Sequence, residues 1–179
     1  MLLKKTILNL LNEQISHEFD NHNIYRNIQA YFSDLDLVGW AAFFGAQAED
    51  EYGHYKHIIN YLDDKNAPYE INVLPYTHCK FKDIKEILNK YYATEIVTTT
   101  MLYAIAEQAK ADNDHGTLSW LYSTPISDDG LSLIQEQIEE EDSALQLQSE
   151  FIQGFGTSDQ LNEQWIRTIN ENLIQRMAK

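Results

Sequence analysis

With 179 residues, 44% of them hydrophobic and 12% aromatic, the chain is long enough to bury a core and too apolar to be disordered. Its 28 acidic against 13 basic residues give a net charge of -15, which repels nucleic-acid backbones and anionic lipid and attracts cations. Only 7 Gly and 3 Pro punctuate the chain, which favours long helices.

The chain opens Met1-Leu2-Leu3-Lys4-Lys5, but Asn9, Asn12 and Glu13 interrupt the apolar run and no small-residue cleavage site follows. A first helix is predicted over 5–33. Asp34-Leu35-Asp36 breaks it, and Asp36 is placed to cap a second helix over 36–64. The stretch 65–81 holds Pro68 and Pro75 with no helical period, so it reads as a long crossover. Nearby Cys79 is the only cysteine, which excludes an intrachain disulfide and suits a reducing compartment. Asp83 and Glu86 form a capping box that opens a third helix over 83–113. Pro125 and Gly130 frame a break, so 116–127 is expected to be irregular, with one helical turn. A fourth helix is predicted over 128–153, stopped by Gly154 and Gly156. Thr157 and Gln160 form a second capping box that opens a short helix over 158–177, amphipathic through Leu161, Trp165, Ile169 and Leu173. No run of about 18 apolar residues exists to span a membrane, and a cytoplasmic protein is expected.

Short links join antiparallel helices and long links join helices that point the same way. The connectivity therefore predicts an all-α four-helix bundle with a long crossover and a short fifth helix, in one domain over 1–179.

Counting in heptads gives each long helix one apolar stripe. The first reads Ile7, Leu11, Gln14, Glu18, Asn21, Tyr25, Ile28, Phe32; the second Leu37, Trp40, Phe44, Ala48 or Gln47, Glu51, His54, Ile58, Leu62. The third reads Ile84, Leu88, Tyr91, Glu95, Thr98, Leu102, Ile105, Ala109; the fourth Leu133, Gln137, Glu140, Ala144, Leu147, Phe151. Each is apolar at both ends with a Glu near its centre.

Helices of similar length packed side by side bring those centres to one level, so four carboxylates converge. Burying even one unpaired carboxylate costs several kcal/mol, and four would rival the roughly 5–15 kcal/mol stability of a whole domain. No Lys or Arg occupies these stripes. Two divalent cations would cancel the four charges, with His54 and Gln137 as neutral ligands. Glu51 and His54, three residues apart, share one helical face and grip one ion together. A Glu, His and Gln set suits borderline first-row metals better than calcium, and iron is the redox-active member expected. Tyr25, one heptad from Glu18, is placed to hydrogen-bond a bridging ligand or lend an electron. Asp50, Glu136 and Glu139 read either as an accessory cation position or as a solvated acidic face. His17, His22, His57, His78 and His115 are expected on the surface or in loops.

At this point the chain resembles the ferritins, most closely the bacterial non-haem type. The resemblance rests on Leu11-Asn12-Glu13-Gln14 with Glu18 and Tyr25, on Glu49-Asp50-Glu51-Tyr52-Gly53-His54, on Glu95, and on Glu136-Gln137-Ile138-Glu139-Glu140-Glu141. It implies a ferroxidase centre with a first iron position at Glu18, Glu51 and His54. A second would use Glu51, Glu95 and Glu140, with Gln137 on the oxygen-binding side. Tyr25 matches the family tyrosine beside the centre, and Asp50, Glu136 and Glu139 match an additional iron position. The resemblance also implies Fe(II) and dioxygen or hydrogen peroxide as partners, no haem, and a hollow homo-oligomeric shell of about 24 subunits whose four-fold axes the last helix lines.

Two departures stand out. Di-iron carboxylate bundles often carry a second Glu-x-x-His on the last long helix, and here that place reads Gln137-x-x-Glu140. A weaker second position suits iron in transit, and speaks against bacterioferritin and a radical-generating reductase. The connection before the fourth helix is also longer than usual in the family, which bears on pores and iron access. Two other readings are a non-catalytic acidic bundle that mediates assembly, and a DNA-protecting mini-ferritin; the last helix and the lack of a basic tail disfavour the latter.

Overall fold

The computed structural model describes residues 3–72, 80–126, 130–154 and 163–177. Pro75, His78, Cys79, Gly156, Leu161, the Thr157–Gln160 capping box and the expected helix starts at 128 and 158 lie outside them. Among the described residues six helices occur in the order α1 Lys5–Asp34, α2 Val38–Asp64, α3 Ile84–Ala111, α4 His115–Ser123, α5 Leu133–Gln153 and α6 Glu163–Met177. The described residues hold no strand, only one isolated bridge between Pro125 and Ser132.

The long helices form because each stripe has somewhere to go. The stripe residues named above are buried, with Ala48 and not the half-buried Gln47 taking the inward place on α2, and α1 adds Ile15. α1 and α2 run antiparallel across their short link: Phe32 stacks on Trp40 near it, and Phe19 meets Tyr55 further away. α1 also packs on α3, and α3 on α5.

Two apolar cores result, one at each end of the bundle. One gathers Tyr25, Ile28, Phe32, Trp40, Phe44, Leu88, Tyr91, Leu147 and Phe151. The other gathers Ile7, Leu11, Ile58, Leu62, Leu102, Ile105, Trp120 and Leu133. Between them lies a buried polar layer of Gln14, Glu18, Asn21, Glu51, His54, Glu95, Thr98, Gln137 and Glu140.

The helix ends differ from expectation in instructive ways. Asp36 does not cap α2. It takes a left-handed φ of 55° in the turn, and the residue at the α2 N-cap is Leu37, with no side-chain cap. The capping acceptor comes from α6: Asn170 Oδ1 accepts from Gly39 N at 2.7 Å and from Trp40 N at 3.3 Å. Such a backbone-satisfying contact normally comes from the residue just before the helix; here it ties the last helix to the second. Gly39 permits it, since a Cβ there would lie 2.1 Å from the Asn170 carbonyl oxygen. Trp40 Nε1 donates to the Ile166 carbonyl, and Ile166, Ile169 and Leu173 join the first core.

At α3, Asp83 accepts from Glu86 N at 2.9 Å as expected, but the Glu86 carboxylate accepts from Lys82 N. The expected irregular segment at 116–127 is largely helical. Asp114 caps α4 by accepting from Thr117 N, and Thr117, Trp120 and Leu121 bury its inner face. α5 starts at Leu133 behind a Ser132–Gln135 capping box. Gly154 ends α5 with an ordinary φ of -72°, so its smallness serves another purpose: a Cβ would lie 1.8 Å from the Trp165 ring.

Candidate metal centre

α1, α2, α3 and α5 each contribute to the polar layer at mid-height. Glu18, Glu51, His54, Glu95, Gln137 and Glu140 are all buried there. Glu18, Glu51 and His54 converge: one ligand atom from each lies within 4.8 Å of the others. His54 Nδ1 is 3.5 Å from Glu51 Oε2, and its Nε2 is 3.3 Å from Glu136 Oε2 and 3.9 Å from Glu140 Oε1. Neither ring nitrogen is aligned for a hydrogen bond, and Glu18 Oε2, Glu51 Oε2 and Glu140 Oε2 are buried without one. Natural interiors leave few polar atoms in that state. Carboxylate oxygens left unsatisfied around one point fit a cation.

The remaining oxygens of the cluster are held by neutral groups. Gln14 Nε2 donates to Glu18 Oε1 at 2.7 Å, and Asn21 Nδ2 donates to Glu51 Oε1 at 3.2 Å. Tyr25 OH donates to Glu95 Oε1, and Gln137 Nε2 donates to Glu95 Oε2 at 2.9 Å. Glu95 thus has both oxygens occupied, whereas Glu18 and Glu51 each present a free one. Glu18, Glu51 and His54, named together in the sequence, thus lie close to one another, while Glu95 is tied to Tyr25 and Gln137.

Electrostatics follow from this crowding. Burial pushes the Glu51 carboxyl well above the usual carboxylate range, and neighbouring Glu18 and Glu95 push it further. Burial raises Glu140 strongly and raises Glu95 against the opposing hydrogen bonds from Tyr25 and Gln137. Burial alone would lower His54, but Glu140, Glu136 and Glu18 outweigh it and hold its pKa up to about 10. Burial thus favours the protonated carboxyls of Glu51, Glu95 and Glu140, and the surrounding carboxylates favour protonated His54.

The three residues of the additional position do not come together. Glu136 turns inward to His54, while Asp50 and Glu139 are exposed, and Gln47 Nε2 donates to Asp50 Oδ2 at 3.3 Å. Among the described residues, the Glu18–Glu51–His54 group alone gathers three metal-ligating side chains that closely.

Three histidines also depart from the expected surface placement. His17 Nε2 is 2.8 Å from Thr98 Oγ1, His22 Nδ1 is 2.6 Å from the Ala48 carbonyl, and His57 stacks on Trp120 with centroids 5.2 Å apart. The stripe pattern marked Gln14, Asn21 and Thr98 as inward-facing but gave them no role; polarity at stripe positions was the available signal.

A family profile described as a ferritin-like domain matches residues 8–143. The chain belongs to the ferritin family. Among curated ferritins, the bacterial non-heme ferritin of Staphylococcus haemolyticus is 32% identical over 140 residues, covering 78% of this chain and 79% of that protein. The bacterial non-heme ferritin of Staphylococcus aureus is 31% identical over the same span. Two solved ferritins share the fold at low identity. The open-pore ferritin of the archaeon Archaeoglobus fulgidus superposes with a TM-score of 0.81 at 18% identity, covering 96% of this chain and 97% of its own. The apo-ferritin of Pseudo-nitzschia multiseries superposes with a TM-score of 0.80 at 19% identity, covering 94% and 99%. Ferritin membership and the four-helix architecture match the motifs read from the sequence, and support iron storage as the broad function.

Proposed function

We propose that this ferritin is a ferroxidase: it takes Fe(II) as substrate, oxidises it to Fe(III) and stores the ferric product in a multi-subunit shell. One observation carries the reading. Glu18, Glu51 and His54 meet in the buried waist between two apolar cores, with their facing atoms unsatisfied and, among the described residues, no buried Lys or Arg to pair the carboxylates.

In this reading Glu18, Glu51 and His54 receive the first Fe(II), displacing the protons that the raised pKa values of Glu51 and His54 retain. Glu51, Glu95 and Glu140 receive the second once Glu95 leaves Tyr25 or Gln137. Carboxylates stabilise Fe(III) over Fe(II) because charge attraction in a low-dielectric site grows with the charge of the ion. Each Fe(II) gives one electron to dioxygen or hydrogen peroxide, and ferric product leaves for the acidic shell interior. Glutamine at position 137 gives the second position a neutral ligand where a charged one would hold product more tightly, which suits release. Tyr25, hydrogen-bonded to Glu95 and fully buried, is placed to steady that carboxylate and to supply an electron.

Oxygen uptake after addition of Fe(II) tests the assignment. The wild-type chain is expected to consume oxygen promptly, and the Glu51→Ala, His54→Ala double variant to show only the slow background. Equal uptake by both would defeat the ferroxidase claim.

A further inference from the structure

Asn21 and Thr98 sit at stripe positions between a ligand candidate on one side (Glu18 and Glu95) and an apolar-bodied residue on the other (Tyr25 and Leu102), yet neither is a ligand in the reading above. Both are buried, at 1% and 0% exposure. Asn21 Nδ2 donates to Glu51 Oε1 and also to Thr98 Oγ1, each at 3.2 Å. Thr98 Oγ1 lies 3.2 Å from the Thr94 carbonyl one turn back and 2.8 Å from His17 Nε2. The chain of bonds thus runs from Glu51 on α2, through Asn21 on α1, to Thr98 on α3, and returns to α1 at the half-buried His17. With Asn21 donating to Thr98, the threonine proton goes to Thr94 or His17, and His17 fills the remaining bond.

We propose that Asn21 and Thr98 are positioning residues that set the orientation of Glu51 at the metal centre, an inference that rests on the ferroxidase reading. A buried carboxylate with one bonded and one free oxygen has two arrangements related by rotation about its terminal bond. Asn21 selects one of them: Oε1 is tied, and Oε2 faces His54 Nδ1 at 3.5 Å without a partner of its own. Asn21 does this only if its own amide is fixed, which is the work of Thr98. An amide left to rotate would expose its carbonyl oxygen to the carboxylate and repel it. Both groups are neutral, so they orient Glu51 without cancelling the charge that attracts a cation. A lysine in the same place would orient it and neutralise it together. Partners behind a ligand commonly matter to metal affinity by about 10–100-fold.

The test uses the full-length protein and Co(II) under anaerobic conditions, read by calorimetry and by the visible absorption of the bound ion. Thr98→Val removes the hydroxyl at nearly constant volume. It is expected to weaken the tightest Co(II) position about tenfold and change its absorption bands, and Thr98→Ser is expected to restore both. Thr100→Val, at an exposed hydroxyl of the same helix, is expected to change neither. If Thr98→Val does not fold, His17→Phe breaks the chain at its half-buried end, and a several-fold loss of Co(II) affinity is expected there. Unchanged affinity and spectrum in Thr98→Val, or in His17→Phe if that variant is used, would overturn the positioning role even if the melting temperature fell. Failure of the wild-type protein to bind Co(II) at all would instead remove the metal-centre reading on which the proposal stands.

Discussion

His54 Nε2 lies 3.3 Å from Glu136 Oε2, on the side of the ring opposite the nitrogen that faces Glu51. A carboxylate behind a histidine ligand fixes the ring and raises its basicity. Glu136 is therefore in position to serve His54, in addition to any part in carrying ions. Replacing Glu136 with Ala is expected to weaken the first Fe(II) position by about 10–100-fold, while Asp50→Ala and Glu139→Ala, both at exposed sites, leave it unchanged. Anaerobic Fe(II) calorimetry on the three variants distinguishes the two behaviours.

Glu51 carries the clearest conflict between stability and function. Burial and its acidic neighbours oppose its ionisation. Glu51→Gln keeps the shape, preserves an acceptor for Asn21 and removes the group whose ionisation is opposed. The metal-free variant is expected to melt higher than the metal-free wild type, by the equivalent of about 1–3 kcal/mol. The same variant should lose most of the stabilisation that Zn(II) gives the wild type, because a ligand stabilises only in proportion to its binding to the native state. Calorimetric melting with and without Zn(II) measures both effects.

The pH dependence has a definite sign. Glu51, Glu95, Glu140 and His54 all have pKa values raised in the folded chain. Each favours folding when protonated, so its contribution is present below the unfolded pKa and lost as pH rises through the folded one. For His54 that window runs from 6.5 to about 10. The metal-free melting temperature is expected to fall across it, and the gain from Zn(II) to grow, since the ion then displaces fewer protons. A flat melting temperature between those limits, in both forms, would contradict the assignment.

Tyr25 and Gln137 occupy both oxygens of Glu95. Removing the phenol hydroxyl in Tyr25→Phe leaves Glu95 Oε1 buried and free. The metal-free chain is expected to lose about 1–3 kcal/mol, and the second Fe(II) position to gain affinity about tenfold, since its ligand no longer has to be released. Stepwise Fe(II) titration without oxygen resolves the two binding events.

Gly39 tests how α6 is anchored. Its Cβ site is filled by the Asn170 carbonyl oxygen at 2.1 Å. Gly39→Ala is expected to cost about 1–3 kcal/mol through overpacking and to free α6, seen as faster amide exchange at Ile166 and Ile169. The proposed metal centre lies in the layer beyond the first core, so Zn(II) affinity should hold.

What could be read from the sequence was what depends on local period. Glu18, Glu51, Glu95 and Glu140 announced themselves because each interrupts an apolar stripe at mid-helix, and burial of a stripe follows from helical geometry alone. Features set by distant parts of the chain were hidden. The cap of α2 comes from Asn170, well over a hundred residues away, while the nearby Asp36 had the right chemistry and the wrong conformation. His17, His22 and His57 flank the stripes, and their burial depends on how closely neighbouring helices approach. α4 was obscured because Pro125 and Gly130 suggested a break, although Asp114 and Thr117 ahead of them already supplied a helix start. The turning of Glu136 towards His54, away from Asp50 and Glu139, was likewise beyond any spacing rule, since all three lie on plausible faces of their helices.

The most direct test of the central claim is an anomalous diffraction map from crystals soaked with Fe(II) in the absence of oxygen. A strong iron peak bounded by Glu18, Glu51 and His54 is expected, with a weaker one towards Glu95 and Glu140. A map in which iron sits only on surface carboxylates, with the waist of the bundle empty, would contradict it.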